Sequence, residues 1–233
     1  MKVLRCALVL IPLAAALGGC GGLLRSTAAP EQTYYLRAPA EPGTSSAAPA
    51  GAVRLSSLRV ARPFADPGLD TSHIMLLESD HRMSFYTGAR WPSPMPQMLS
   101  ALTVQTLRAS GQWVSVEDSA SAFPSDYLLQ ITVRRFDADY TGGAGAAPVV
   151  QVVLDCNIGR RDGREVIGSF LVSGSAPAPA NRLGTVVGAF EQASAAALSA
   201  LGTQAAAAVA ADLARPAAQK ATTPAPSSSR QSQ

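Results

Sequence analysis

The sequence has few of the residues from which enzymes build active sites. It contains two histidines and three cysteines in 233 residues, and no Gly-x-Ser-x-Gly segment that would mark a hydrolase nucleophile. His73 and His81 flank a predicted turn, and a metal would need further ligands beside them, so we interpret both as solvent-facing strand residues. The glycine-rich segment 142–145 lacks the lysine and following helix of a phosphate-binding loop, which favours a flexible connection. The sequence therefore contains no motif that points to an enzyme, a cofactor or a metal site.

The N-terminus has the layout of a secretory signal peptide. A basic start precedes a short apolar run, and small residues stand directly before Cys20. The apolar run 6–17, which a glycine pair follows, is shorter than the about 20 residues that a membrane-spanning helix needs. The segment that ends in Cys20 resembles the lipobox of bacterial lipoproteins, whose cysteine becomes the acylated N-terminus. We therefore predict a signal peptide over 1–19, lipid attachment at Cys20 and a lipidated tether over 20–33.

Basic residues are scattered rather than clustered. The formal net charge is +3, but Lys2 and Arg5 leave with the signal peptide, so 17 of the 19 basic residues remain against 16 acidic ones. No run of lysine or arginine occurs, and no basic residues alternate with aromatic ones. Nucleic acid is therefore not an expected partner.

Cysteine usage predicts a domain without internal disulfides. Cys6 is removed and Cys20 carries lipid, which leaves Cys156 alone. Cys156 is in phase with the apolar residues of the alternating run 149–158. This pattern favours a buried structural thiol over a nucleophile, because burial raises a thiol pKa.

Residue periodicity predicts short strands, a hairpin and a helix in the first half of the mature chain. Ser93 is the expected N-cap of the helix, with Pro94 at its first position. Trp91 is interpreted as a buried anchor at the helix start, and an exposed aromatic that binds a partner is the alternative. The predicted elements are strands over 34–37, 53–60 with a bulge at 56–57, and 113–116, a flexible loop over 38–52, a hairpin over 73–86 and a helix over 94–110.

The second half is predicted to form an antiparallel meander and a long helix. Asp162-Gly163 indicates a two-residue turn, after which Val166, Phe170 and Val172 are expected on one side of a strand. Asn181 is the expected cap of an alanine-rich helix. The predicted elements are strands over 126–140, 149–158 and 165–173, a helix over 181–213 and a disordered tail over 214–233. Residues 34–213 are therefore expected to form an α+β domain whose mostly antiparallel sheet has two helices packed on one face.

Several segments follow the lipobox in a recognisable order. They are Tyr34-Tyr35-Leu36, the segment 60–70 that begins Val60-Ala61-Arg62-Pro63-Phe64, the segment 90–95 that begins Arg90-Trp91-Pro92, Asp126-Tyr127-Leu128-Leu129 leading to Phe136-Asp137, and Val186-Val187-Gly188-Ala189-Phe190. Their order resembles the ABC-type transport auxiliary lipoprotein family, whose best-known member is the outer-membrane lipoprotein of the paraquat-inducible transport system. The resemblance covers roughly residues 17–213. Ser93 replaces the acidic residue that is usual after the tryptophan-proline pair, and the 38–52 loop is longer than expected.

The resemblance implies an adaptor without catalytic activity. Family members accompany ABC transporters that carry a periplasmic subunit of the mammalian-cell-entry type and move lipids between the inner and outer membranes. That subunit, the permease and the ATPase are the implied partners. Gly21 rather than aspartate follows Cys20, which favours the periplasmic face of the outer membrane over the inner membrane. Exposed sheet edges would also permit a homo-oligomer.

Two other functions stay open. A lipoprotein regulator of cell-wall synthesis or a Tol-like envelope-integrity protein also joins a lipid anchor, a tether and a small α+β domain. Reaching through the cell wall needs a long linker, however, and residues 21–33 span at most ~45 Å when stretched. A lipid-anchored hydrolase has no motif behind it.

Overall fold

The structure, a computed structural model, describes residues 31–38, 54–143 and 145–215. From Gln32 onward these residues belong to one compact unit. The predicted signal peptide, Cys20, the tether up to residue 30, nearly all of the 38–52 loop and the tail from residue 216 lie outside the described residues.

The described residues form the predicted α+β fold, with a nine-stranded mixed sheet and two helices. The helices are α1 (Met95–Ala109) and α2 (Leu183–Leu213). The strands are β1 (Gln32–Thr33), β2 (Leu58–Val60), β3 (Phe64–Ala65), β4 (His73–Leu77), β5 (Met83–Arg90), β6 (Val116–Glu117), β7 (Tyr127–Asp139), β8 (Val149–Arg160) and β9 (Val166–Pro177).

Strand β7 is the centre of the sheet. It pairs with β8 in antiparallel orientation along its whole length, and β8 pairs in the same way with β9. On the other side of β7 the chain from β2 to β4 runs parallel to it in three successive pieces, from Leu58 opposite Tyr127 to Leu77 opposite Asp139. Strand β5 then pairs antiparallel with β4, and β1 pairs parallel with β5. The sheet is therefore mostly but not wholly antiparallel.

Trp91 joins the sheet to the helices. Its side chain is fully buried, and its ring centroid lies 6.3 Å from that of Phe136 on β7 and 5.3 Å from that of Phe190 on α2. Both contacts are edge-to-face, a favoured arrangement of aromatic rings. The prediction of a buried anchor is confirmed, and Trp91 is not an exposed aromatic for a partner.

Helix α2 is the one described helix long and apolar enough to cross a membrane. Its buried residues include Val186, Phe190, Leu198 and Leu201, as the helical spacing predicts, and they face the sheet. One side of α2 therefore packs on the sheet, and this packing accounts for the apolar residues on that side.

The predicted helix caps are wrong. The N-cap of α1 is Pro94 rather than Ser93, and that of α2 is Arg182 rather than Asn181, each without a side-chain hydrogen bond. At α1 a tertiary contact replaces the cap, because the Met95 amide donates to the Thr71 carbonyl at 2.9 Å. The Asn181 side chain instead accepts a hydrogen bond from the Tyr140 hydroxyl at 2.7 Å.

The turn between β8 and β9 is longer than the predicted two residues. Residues 161–165 separate the strands, and Gly163 and Arg164 adopt positive φ angles of 74° and 52°. The pairing register shifts beside Ile158, so Val166 is 61% exposed and does not share a face with Val172. The strand also continues to Pro177, beyond its predicted end at residue 173.

Two early strands differ from their predictions. The sequence predicts a strand at 34–37, but β1 is Gln32–Thr33, and only the Tyr34 amide continues the pairing, donating to the Arg90 carbonyl. The predicted strand 53–60 is reduced to β2 and a bridge at Leu55. The pairing of this strand with its neighbours is interrupted where the bulge is predicted. There the Ser57 amide and hydroxyl both donate hydrogen bonds to the Asp126 carboxylate.

Candidate interaction surface

The histidines do not form a metal site in the described residues, where no group of three or more histidine, cysteine, aspartate or glutamate side chains could hold an ion. His73 is half-buried and stacks on Phe85, with ring centroids 4.4 Å apart. His81 is exposed in the turn with a φ of 65°. The prediction of two solvent-facing strand residues is therefore wrong in detail: one histidine packs against a neighbour and the other lies outside the strands.

Cys156 is a structural thiol, as predicted. Its side chain is fully buried on β8, in phase with Leu154 and Ile158. Burial, with a smaller contribution from the Asp155 charge, raises its pKa to about 12. The thiol is therefore protonated at neutral pH and is a poor nucleophile.

The face of the sheet that points away from the helices combines exposed apolar side chains with ion pairs, and we call it the open face. Side chains of directly paired residues share a face, so Leu171 accompanies Asp155, and Phe85 accompanies Met75. Among the described residues, nine large apolar side chains are exposed. Five of these nine lie on the open face: Phe64, Met83, Phe85, Val166 and Leu171.

The charges on the open face are paired with one another. Arg134 contacts Asp155 at 2.7 Å, and Arg135 contacts Asp137 at 2.7 Å and Asp139 at 2.8 Å. The two carboxylates raise the pKa of Arg135, whose guanidinium remains charged. A partner that covers this face would meet apolar side chains and charges that already have partners, which lowers the cost of removing them from water.

Asp139 gives these ion pairs a measurable pH dependence. Partial burial alone would raise its pKa, but hydrogen bonds from Arg135 and Thr141 lower it to about 2. A carboxyl group with an unfolded-state pKa near 3.9 and a lower folded-state pKa stabilises the fold above pH ~4, and this stabilisation is lost as the pH falls towards 2.

We therefore expect Asp139→Asn to lower the free energy of unfolding by about 1–2 kcal/mol at pH 7. The difference from the parent should shrink below pH ~4 and vanish near pH 2. Urea denaturation across this pH range measures it, with Asp70→Asn, an exposed carboxylate, as the control. If Asp139→Asn lowered the free energy of unfolding equally at pH 7 and near pH 2, the charge of Asp139 would not be the cause of the loss.

Strand β9 is an edge of the sheet, and its sequence is unusual for an edge. It is 12 residues long, contains no charged residue and, within the described part of the chain, pairs only with β8. Edge strands are commonly protected by charges, by proline or by being short. Here Leu171 is 62% exposed in the middle of the strand, and Pro177 at its end is the only such protection. The β9 edge is therefore a second feature suited to a partner.

A buried ion pair fixes the end of α2 on the sheet, and the sequence did not predict it. Asp212 is fully buried, lies 2.7 Å from Arg160 and accepts a hydrogen bond from the Tyr127 hydroxyl at 2.8 Å. Burial and then Asp212 raise the pKa of Tyr127 to about 12. The sequence did contain a sign of this ion pair, because Asp212 is a carboxylate at a position in phase with the apolar stripe of α2.

The segment that leads from the predicted anchor is attached to the domain. Leu36 is buried. The Arg37 amide donates to Glu191 Oε1 on α2 at 2.9 Å, and the Arg37 side chain also contacts this carboxylate at 3.1 Å. The chain is therefore held to both the sheet and α2 soon after the tether ends. Cys20 itself lies outside the described residues.

Solved structures with a similar fold are known. The crystal structure of a DUF330-family protein from Xanthomonas campestris is similar, with a TM-score of 0.64, 26% identity, and coverage of 81% of this chain and 99% of the other. The crystal structure of an uncharacterized protein has a TM-score of 0.56 at 16% identity, over 75% of this chain and 98% of the other. No curated protein matches the sequence.

The family model agrees with the resemblance found in the sequence. The model of the ABC-type transport auxiliary lipoprotein component matches residues 34–214. This range contains both helices and all of the sheet except β1. The chain therefore belongs to the family of ABC-type transport auxiliary lipoprotein components.

Proposed function

We propose that this protein is a lipid-anchored, non-catalytic subunit of an intermembrane lipid transport system. Acyl chains on Cys20 hold it at the periplasmic face of the outer membrane, and its folded domain docks a periplasmic subunit of the mammalian-cell-entry type. The ABC permease and ATPase complete the system. Family membership supports an auxiliary role in ABC-type transport, and the sequence before Cys20 supports the anchor.

The observation that carries the docking role is the open face with the β9 edge beside it. Exposed apolar side chains, mutually paired charges and an uncharged edge strand occur on one side of the domain. Near the start of β9 a cavity of about 430 Å³ adds Leu128, Arg161 and Arg164 to this surface. A partner strand added to β9 would bond to its free backbone groups and cover Leu171.

The test replaces Leu171 by lysine in the full-length protein in its native host. Lysine fits the fold, because residue 171 is exposed and pairs with Asp155, but it places a charge in the docking surface. We expect the amount of co-purified mammalian-cell-entry subunit to fall about tenfold, which corresponds to ~1.4 kcal/mol. The matched control is Gln204→Lys, on the exposed side of α2.

Two results would contradict the proposal. The parent protein could retain none of the transport subunits, in which case the transport role is wrong. Alternatively, the lysine variants at residues 171 and 204 could retain them equally, in which case docking does not use the β9 side of the open face. Comparing the parent with both variants separates these outcomes.

A further inference from the structure

One part of the open face lies beside the place where the tether enters the domain. Met75 and Leu77 on β4 pair with Phe85 and Met83 on β5, so the four side chains share the open face and form what we call the hairpin patch. Met83 is 50% and Phe85 47% exposed. This patch is at the opposite edge of the sheet from β9.

The tether is joined to the same hairpin. Strand β1 is the outer neighbour of β5, with Gln32 opposite Ala89. Tyr35, two residues after β1, is 68% exposed. Cys20 precedes Gln32 by twelve residues, a distance of at most ~43 Å even when fully extended. A lipid on Cys20 would therefore keep the hairpin patch within a few tens of ångströms of the bilayer.

The chemistry of the hairpin fits a lipid interface. Methionine and phenylalanine can enter the boundary between headgroups and acyl chains, and tyrosine is enriched there. At the tip of the hairpin Arg82 contacts Glu78 at 2.8 Å and Asp80 at 2.5 Å. The guanidinium and carboxylates thus partly neutralise one another, which reduces the cost of bringing this tip close to the membrane.

We propose that the hairpin patch rests in the interface of the bilayer that carries the anchor, with Phe85 and Met83 in contact with lipid. The proposal rests on the lipid anchoring of Cys20. The acyl anchor supplies the affinity for the membrane and keeps the patch at a high local concentration near the bilayer. A contact between the patch and lipid that is weak on its own is therefore formed much of the time. The hairpin edge of the sheet, rather than the whole open face, is turned toward the bilayer, so the β9 edge lies away from the membrane, where a periplasmic partner can reach it.

The experiment places a fluorescent probe at each edge of the sheet. Full-length Phe85→Trp and Leu171→Trp variants are purified from membranes and reconstituted into vesicles of phosphatidylethanolamine and phosphatidylglycerol, with or without brominated acyl chains. The two sites are comparably exposed, so burial in the protein does not bias the comparison. The native Trp91 and Trp113 are buried and supply a constant background that the parent protein measures.

We expect brominated lipid to quench the added tryptophan at residue 85 at least about twofold and to leave that at residue 171 unchanged. Met83→Trp, a second probe on the same patch, should behave like residue 85. Equal quenching at residues 85 and 171, or none at residue 85, would overturn the proposed contact. So would a spectral shift at residue 85 that depends on protein concentration in detergent, because it would assign the patch to a second copy of the chain.

Palmitate labelling of the same preparations tests the lipid anchoring at Cys20 separately from the contact of the hairpin patch with the bilayer. Labelled protein without quenching at residue 85 overturns the bilayer contact alone. Unlabelled protein overturns the anchoring at Cys20 and, with it, the contact that rests on it.

Discussion

Replacing Cys20 by alanine is expected to abolish the incorporation of palmitate and to release the protein from membranes washed at alkaline pH. Each buried methylene of an acyl chain contributes about 0.8 kcal/mol to membrane binding, and stable anchoring takes two chains. Without the thiol no chain can be attached at this position. The apolar run 6–17 of an uncleaved signal peptide contains Pro12 and is shorter than the about 20 residues needed to span a bilayer, so it should hold the protein less firmly than the acyl chains do.

The control for this experiment is Cys156→Ala. Cys156 is fully buried and its thiol has a pKa of about 12, so its removal should leave the label and the membrane fraction unchanged. Palmitate labelling in the native host, followed by fractionation, compares both variants with the parent. If Cys20→Ala were labelled as strongly as the parent, the lipid would be attached elsewhere and the predicted anchor would be wrong.

The parts of the fold that the sequence predicted best are those governed by local patterns. Strand β7 alternates between Leu129 and Ile131 on the buried side and Gln130 and Thr132 on the other, and the structure has this alternation. The apolar stripe predicted for the second helix is also confirmed, because most of its residues are buried on α2. In both elements, burial of one face decides the outcome, and that face is visible in the spacing of the residues alone.

The parts that were missed depend on contacts between distant residues. The parallel pairing of β2, β3 and β4 with β7 joins residues more than sixty positions apart, for example Leu58 with Tyr127. Neither helix uses its predicted cap, and at α1 a carbonyl of the 66–72 loop accepts from the Met95 amide. Local propensity carries no information about such partners, and tertiary contacts override it.

The candidate surface was predictable only in part. An open face follows from two helices on one side of a sheet, and the exposed sheet edge was expected. Leu171 lies between Phe170 and Val172, which the sequence places together on one side of the strand, so Leu171 was expected on the other side, where it is 62% exposed. Val166 was placed on the wrong side, because the register shift beside Ile158 changes the phase of the strand.

The contact of α2 with β9 depends on a residue without a side chain. A Cβ atom at Gly174 would lie 1.9 Å from the carbonyl oxygen of Ala193 and 2.9 Å from the amide nitrogen of Ala197. Both atoms belong to the backbone of α2, which cannot yield as a flexible side chain would. Even the smallest side chain must therefore push the helix away from the sheet, at the level where Ala193 and Ala197 are fully buried.

Gly174→Ala is therefore expected to lower the free energy of unfolding by about 3 kcal/mol or more, at the upper end of the cost of overpacking a core. The matched control is Gly188→Ala on α2, which adds the same methyl group where no atom lies within 4 Å. Alanine is the better helix former by up to about 1 kcal/mol, so this variant should be at least as stable as the parent. Urea denaturation of chains that begin at Gly21 measures both. Each variant adds one methyl group, and only the one at residue 174 meets backbone atoms of α2. Equal stabilities would therefore show that α2 does not lie so close to β9, and that the core does not depend on the glycine.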